Sequence, residues 1–177
     1  SSIGSDANIL ADGMQQTINS RLEQILSDWP SDLPYGIIHA DLFPNNVLFV
    51  GDRLTGLIDF YFACEDILAY DIGICLNSWC FEADGSFNMT KSRALIQGYE
   101  SVRSLSVAEK QAIPVLSAGS AMRFFLTRLY DWIHTPKDAL VSPKDPMEYW
   151  TILSFHQSVS GLSAYGLDQT SPDGETL

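Results

Sequence analysis

With 177 residues, 46% of them apolar and 11% aromatic, the chain has the length of one domain and enough apolar side chains to build a core. That composition excludes disorder, collagen-like repeats and a disulfide-stapled miniprotein. Twenty-two acidic against ten basic residues leave a net charge of -12, the wrong sign for gripping nucleic acid, so a small anionic ligand would have to be held through divalent cations or a few placed Lys, Arg and backbone N–H groups.

The elements follow in chain order. Ile9, Leu10, Met14, Ile18, Leu22, Ile25, Leu26 and Trp29 fall at helical spacings, predicting an amphipathic helix over 6–29 that Pro30 ends. The period then shortens. Gly36 to His39 reads as a brief strand, and Asn46 to Val50 and Arg53 to Ile58 flank Gly51-Asp52, a pair that favours a two-residue hairpin turn. From about residue 66 the chain reads as helix: a buried helix from Ile67 to Cys80, a shorter one from Ser92 to Val102, and a long one opened by the capping box Ser106-Val107-Ala108-Glu109, bent near Pro114 and reaching about His134. Asp145-Pro146-Met147-Glu148 announces a last helix running to about Tyr165. The lobe thus spans 1–166, with helix 6–29, hairpin region 36–60 and helical body 66–166, and 167–177 reads as a flexible tail.

Cys64, Cys75 and Cys80 are odd in number, lie among apolar residues and lack zinc-site spacing, which points to buried thiols in a reduced, cytoplasmic setting. No apolar run reaches the roughly 18 residues of a membrane helix, and Ser1 to Asp6 carry no export signal, so a soluble chain without a membrane partner is expected. Trp79, Trp132 and Trp150 read as core, and His134 and His156 show no partner signal.

The chemistry lies in His39-Ala40-Asp41-Leu42-Phe43-Pro44-Asn45-Asn46 and, 13 residues further on, Asp59 within Leu57-Ile58-Asp59-Phe60. A loop leaving one strand presents Asp41, the next strand starts at Asn46, and the returning strand ends at Asp59, so the three can converge at one end of a small sheet. Two carboxylates and an amide oxygen make a hard-oxygen site of the kind Mg²⁺ takes, with one carboxylate left for a hydroxyl proton. This is the phosphoryl-transfer pattern in which an H-R-D-x-x-x-x-N loop gives the base and one metal ligand and a second Asp gives the other. Here Ala40 replaces the Arg.

With Ala40, Leu42 and Pro44 inside that spacing, the segment resembles the aminoglycoside phosphotransferase-like small-molecule kinases rather than protein kinases. Four further blocks, Leu57 to Asp71, Asn77 to Phe81, Arg123 to Trp132 and Pro143 to Pro146, narrow the resemblance to the bacterial homoserine kinases of that type, over roughly residues 33–157. Asn45 departs from the Asp or Gly usual in such kinases, at a position without an assigned role. The resemblance implies an α+β, protein-kinase-like fold, of which this would be the mainly helical C-terminal lobe with a small β-hairpin region carrying the catalytic loop. It implies ATP and L-homoserine as substrates, Mg²⁺ as cofactor, Asp41 as base, Asn46 and Asp59 as metal ligands, and His39 and Asp71 as braces of the loop. Choline, a sugar or an aminoglycoside are alternative acceptors, and a non-catalytic pseudokinase-like module is the alternative outside enzymes.

Such a kinase also needs a glycine-rich loop and a strand Lys in an N-terminal lobe. Neither precedes Asp41, so the nucleotide lobe is expected to be absent, with the chain inactive alone and prone to self-association through the face so exposed. A zwitterionic acceptor calls for a cation at its carboxylate and an acid or aromatic ring at its ammonium. Asp66, Arg123 and Arg128 are the candidates for contacting it. Arg128 reads equally well as the partner of Asp131 in a surface ion pair along one helix.

Overall fold

In the computed structural model of the chain, residues 10–136, 138–159 and 161–167 are described. The first helix, α1, runs over Met14–Ser27 and buries Met14, Ile18 and Ile25 at helical spacing. It starts later than the apolar stripe suggests because Gly13, at φ 77°, precedes it in the left-handed region. Residues 6–9 of the predicted helix lie outside the described part of the chain.

Four short strands follow, β1 (Tyr35–Ile38), β2 (Val47–Val50), β3 (Arg53–Leu57) and β4 (Cys64–Ile67). β2 and β3 form the predicted hairpin, with Gly51 at φ 59° supplying its turn. β1 does not join that hairpin. It pairs antiparallel with β4, in the register Tyr35↔Ile67 to Ile38↔Cys64. The sequence places the start of helix at about residue 66 and no strand here; hydrogen bonding to β1, not side-chain pattern, makes Cys64–Ile67 a strand. The consequence is topological. Everything from His39 to Ala63 is an excursion whose two ends are tied together by the β1–β4 ladder.

The helical body comprises α2 (Leu68–Trp79), α3 (Met89–Glu100), α4 (Val107–His134) and α5 (Met147–Ser158). Asn88 caps α3 by accepting from the Lys91 N–H, so this helix starts three residues before the predicted Ser92. The capping box at α4 is present as read, Ser106 accepting from Glu109 N–H and Glu109 from Ser106 N–H. α4 continues through Pro114 to His134. At α5 the carboxylate of Asp145 takes the Met147 N–H at 2.8 Å. This helix stops at Ser158 rather than near Tyr165: Val159 is extended, Gly161 has φ 96°, and Leu162–Tyr165 forms a separate 3-10 turn. Leu167 closes back on the Leu162 carbonyl, and the rest of the predicted tail, 168–177, lies outside the described residues.

α4 is the spine. Its first half contributes Ile113 and Leu116 to a core with Ile67, Ile72, Ile74, Leu76 and Ile96, and its second half gives Met122, Phe125 and Leu129 to a core with Ile18, Tyr149 and Leu153. Gly73 of α2 lets the two helix backbones meet, since a Cβ there would lie 3.0 Å from backbone atoms of Leu116 and Ser117. Among the tryptophans, Trp132 is 44% exposed and so is not core as expected. Cys75 and Cys80 are buried, as expected, and burial raises both thiols, Cys80 to about 11; Cys64, on β4, is exposed. Among the described residues no helix is long and apolar enough to cross a membrane.

His156 turns out to have partners. Its Nε2–H donates to Asn77 Oδ1 at 2.6 Å, since the Asn77 amide is itself donating to the Ser117 carbonyl at 2.9 Å. Its Nδ1 is then the acceptor for Tyr165 O–H at 2.8 Å. This buried, neutral imidazole is held down to a pKa of about 3 by desolvation. A depressed histidine stabilises fully above its ordinary value of 6.5 and loses that contribution as pH falls toward 3. Between pH 7 and 5 the chain should therefore lose about 2 kcal/mol of stability, and His156→Gln should remove most of that slope. Urea unfolding of both proteins at the two pH values measures it, and an unchanged slope in the variant would rule out His156 as its source.

Candidate active site

His39 to Asn46 leaves the end of β1 and runs along α2, from Asp71 in its first turn to Ser78 and Trp79 in its last, before entering β2. Its backbone has no ladder of its own, and side chains from elsewhere take that role. Asp71, in the first turn of α2, accepts the N–H groups of His39 at 2.8 Å and Ala40 at 2.9 Å, one on each carboxylate oxygen. Two N–H donors in one fork fix two peptide planes at once. Ala40 is held at φ 60°, a conformation that costs an L-residue about 1–2 kcal/mol and that the fork offsets.

The carbonyls are pinned from the other side. Arg123 of α4 donates to the Ala40 carbonyl at 2.8 Å, and Trp79 Nε1 and Ser78 Oγ donate to the Leu42 carbonyl at 2.9 and 3.2 Å. Asn46 Nδ2 donates to the Asp41 carbonyl at 2.8 Å and to its carboxylate at 3.2 Å. His39 completes the frame. Its Nδ1 accepts the Asp41 N–H at 3.3 Å, which obliges Nε2–H to be the donor to the Ile58 carbonyl at 2.9 Å. That bond ties the loop to the end of β3, one residue before Asp59, which itself sits in the left-handed region at φ 61° and ψ 59°.

The expected constellation is thus brought together around Asp41. Burial raises its carboxyl above the ordinary carboxylate value and the nearby Asp59 adds to this, while Arg123 and the Asn46 amide pull it back. Asn46 is buried with its amide nitrogen engaged. Its Oδ1 and the Asp59 carboxylate accept no hydrogen bond among the described residues, and these are the oxygens available to a hard cation. The described residues contain no group of three or more His, Cys, Asp and Glu suited to a metal. One amide oxygen and one carboxylate form the sparse donor set that fits Mg²⁺, which is completed by water and phosphate oxygens.

The three residues proposed to touch an acceptor are placed differently. Arg123 lies under the loop, donating to Ala40 and standing over the rings of Phe62 and Phe124 at 5.3 and 4.7 Å. Asp66 is in β4, and its Oδ1 takes the Ile67 N–H at 2.7 Å. Arg128 lines a cavity of about 330 Å³ that also includes Asp41, Phe43 and Phe124. It does not pair with Asp131 on its own helix, as one reading of the sequence had it; it pairs with Glu148 of α5 at 2.6 Å. Sequence spacing could not disclose Arg123 as a loop anchor, because its partner is a backbone carbonyl 83 positions away.

Replacing Asp71 by Asn keeps one acceptor and sets an amide N–H against the second loop N–H. The expected outcome is a loss of about 1–3 kcal/mol in chemical denaturation, with no comparable loss for Asp66→Asn. Equal stability of Asp71→Asn and the parent would contradict the fork.

The amino-acid sequence has counterparts in known proteins. Residues 6–105 match the model of the APH phosphotransferase enzyme family. A homoserine kinase of Agrobacterium fabrum is 59% identical over 155 residues, 88% of this chain and 48% of that protein. One of Parvibaculum lavamentivorans is 62% identical over 156 residues, 88% of this chain and 49% of its own, and one of Sinorhizobium fredii is 60% identical over 161 residues, 91% and 49%. The chain spans about half the length of the curated relatives it matches. The match over residues 6–105, more than half of the chain, together with these relatives, establishes that the chain belongs to the phosphotransferase enzyme family.

Proposed function

We propose that the chain carries the acceptor and phosphoryl-transfer part of a homoserine kinase, which moves the terminal phosphoryl group of ATP to the side-chain hydroxyl of L-homoserine and so serves threonine biosynthesis. The observation that carries the reading is the Asn46 amide bonded to both the backbone and the carboxylate of Asp41, which holds a base and a metal-facing oxygen side by side. The 59–62% identity to proteins named homoserine kinase supports the acceptor, ahead of choline, a sugar or an aminoglycoside.

In this reading Asp41 orients the homoserine hydroxyl and takes its proton. A carboxylate raised by burial is a stronger base than one in water, and the flanking hydrogen bonds keep it aimed. Asn46 Oδ1 and Asp59 would hold Mg²⁺, which when bound would offset the negative charge of the phosphates. His39 and Asp71 act through the loop and not on the substrate. Arg123 is reassigned: it holds the Ala40 carbonyl and lends positive charge near Asp41 instead of gripping the acceptor. Asp66, with one oxygen turned to its own neighbour's N–H, is left without a substrate role.

The hairpin and the turn after it expose Phe49, Val50, Leu54, Phe60 and Tyr61. We infer that this apolar face packs against the nucleotide-binding part of the enzyme, and that uncovered it supports self-association. A cytoplasmic location follows from the same reading and agrees with the three free cysteines.

The test is ADP formation by the full-length protein with Mg²⁺ and L-homoserine, beside choline, sugar and aminoglycoside controls. Asp41→Asn should lower kcat at least about a hundredfold. Turnover of L-homoserine no better than of the controls would remove the substrate, and a fully active Asp41→Asn would remove the base.

A further inference from the structure

Two cavities meet at Phe43 and Arg128. The larger, about 540 Å³, is rimmed by Glu82, Asp84, Asp145 and Glu148. The smaller, about 330 Å³, is the one that reaches Asp41, and the other charged residues of its wall are Arg128 and Asp131 of α4 and Lys144 on the approach to α5. Its charges are balanced, two of each sign, in a chain whose net charge is -12. Its volume lies at the small end of ligand cavities and suits a compact metabolite.

These four charges are not equally free. Asp41 is the proposed base. Arg128 is engaged: its Nη1 pairs with Glu148 at 2.6 Å and donates to the Asp145 carbonyl at 3.2 Å, and its guanidinium stands 4.5 Å over the Tyr149 ring. Lys144 and Asp131 make no ion pair or side-chain hydrogen bond among the described residues. Both are also misplaced for helix stability. Asp131 sits in the last turn of α4, at the negative end of the helix dipole, and Lys144 lies just before the positive start of α5. A ligand with an ammonium at Asp131 and a carboxylate at Lys144 would offset both penalties, because each helix end attracts the ligand charge that its neighbouring side chain pairs with.

Building on the kinase reading above, we propose that Lys144 binds the carboxylate and Asp131 the ammonium of a hydroxy amino acid whose hydroxyl meets Asp41. Arg128 is a positioning residue that ties α4 to the start of α5 and so fixes the spacing of the two charges. The wall selects a dipolar, net-neutral acceptor. An aminoglycoside polycation would leave Lys144 opposed, and an uncharged sugar would leave both charges unpaired. Choline would need open aromatic faces, whereas Phe43 and Phe124 pack edge to face on one another at 4.9 Å.

Steady-state kinetics of the full-length protein test the assignment, with L-homoserine compared against 3-aminopropan-1-ol, which lacks the carboxylate, and 4-hydroxybutyrate, which lacks the ammonium. Lys144→Met should raise KM for L-homoserine at least about tenfold while changing that for 3-aminopropan-1-ol less than about twofold. Asp131→Asn should do the same for L-homoserine while sparing 4-hydroxybutyrate, and Lys144→Arg should recover part of the loss. If wild type turns over L-homoserine and both variants keep its KM within about twofold, the two anchors are wrong and the kinase reading stands. If wild type does not turn over L-homoserine, calorimetric titration of that amino acid decides: binding lost in both variants upholds the dipolar site without the reaction, and absence of binding to wild type overturns both.

Discussion

The site depends on one carboxylate with two hydrogen bonds. Asp71 projects from the first turn of α2 and receives the N–H groups of His39 and Ala40, where the chain has left β1 and has no strand partner. A buried loop with unpaired amides would be costly, and a neutral acceptor could satisfy only one of the two as well. Once that fork holds, Ala40 can stay in the left-handed region, its carbonyl faces Arg123, and Asp41 emerges beside Asn46 with little freedom left. The fixed position of the Asp41 carboxylate is thus an effect of a helix residue that bonds only the loop backbone. Contacts to the loop backbone aim that carboxylate.

The helical body explains why α2 and α4 can serve as that frame. α4 supplies side chains to both cores, and α2 lies so close to it that a Cβ at position 73 would press on its backbone. Asn77, His156 and Tyr165 add a fully paired polar chain across α2, α5 and the final 3-10 turn. Polar groups so arranged specify one packing where apolar contacts alone would tolerate several. Position along α4 then becomes position in the site: Arg123 under the loop, and Arg128 and Asp131 one and two turns further on at the cavity that reaches Asp41.

Much of this was legible in the residues because it is local. The spacing from His39 to Asn46, the Gly51-Asp52 turn and the Ser106 to Glu109 box each complete their chemistry within a few positions, so pattern and structure coincide. Asp71 was legible for a different reason: an acid on an apolar helix face requires a buried partner. What stayed hidden was set by distant partners. β4 is a strand only because β1 lies beside it, and Arg123 and Arg128 have ordinary helical surroundings in sequence while their partners sit on another element. Even the exposed Trp132 and Cys64 follow this rule, since which side of a helix or strand meets solvent is decided by what packs on the other.

The β1–β4 ladder has a consequence of another kind. Because it clamps both ends of the segment from His39 to Ala63, the two halves of the site are registered to each other at the base of the excursion and not through the hairpin tip. The turn at Gly51-Asp52 is therefore mechanically insulated. The separation of Asp41 and Asp59 is set at the base of the excursion, so a change in the length of the tip would act on what the hairpin meets and not on that separation.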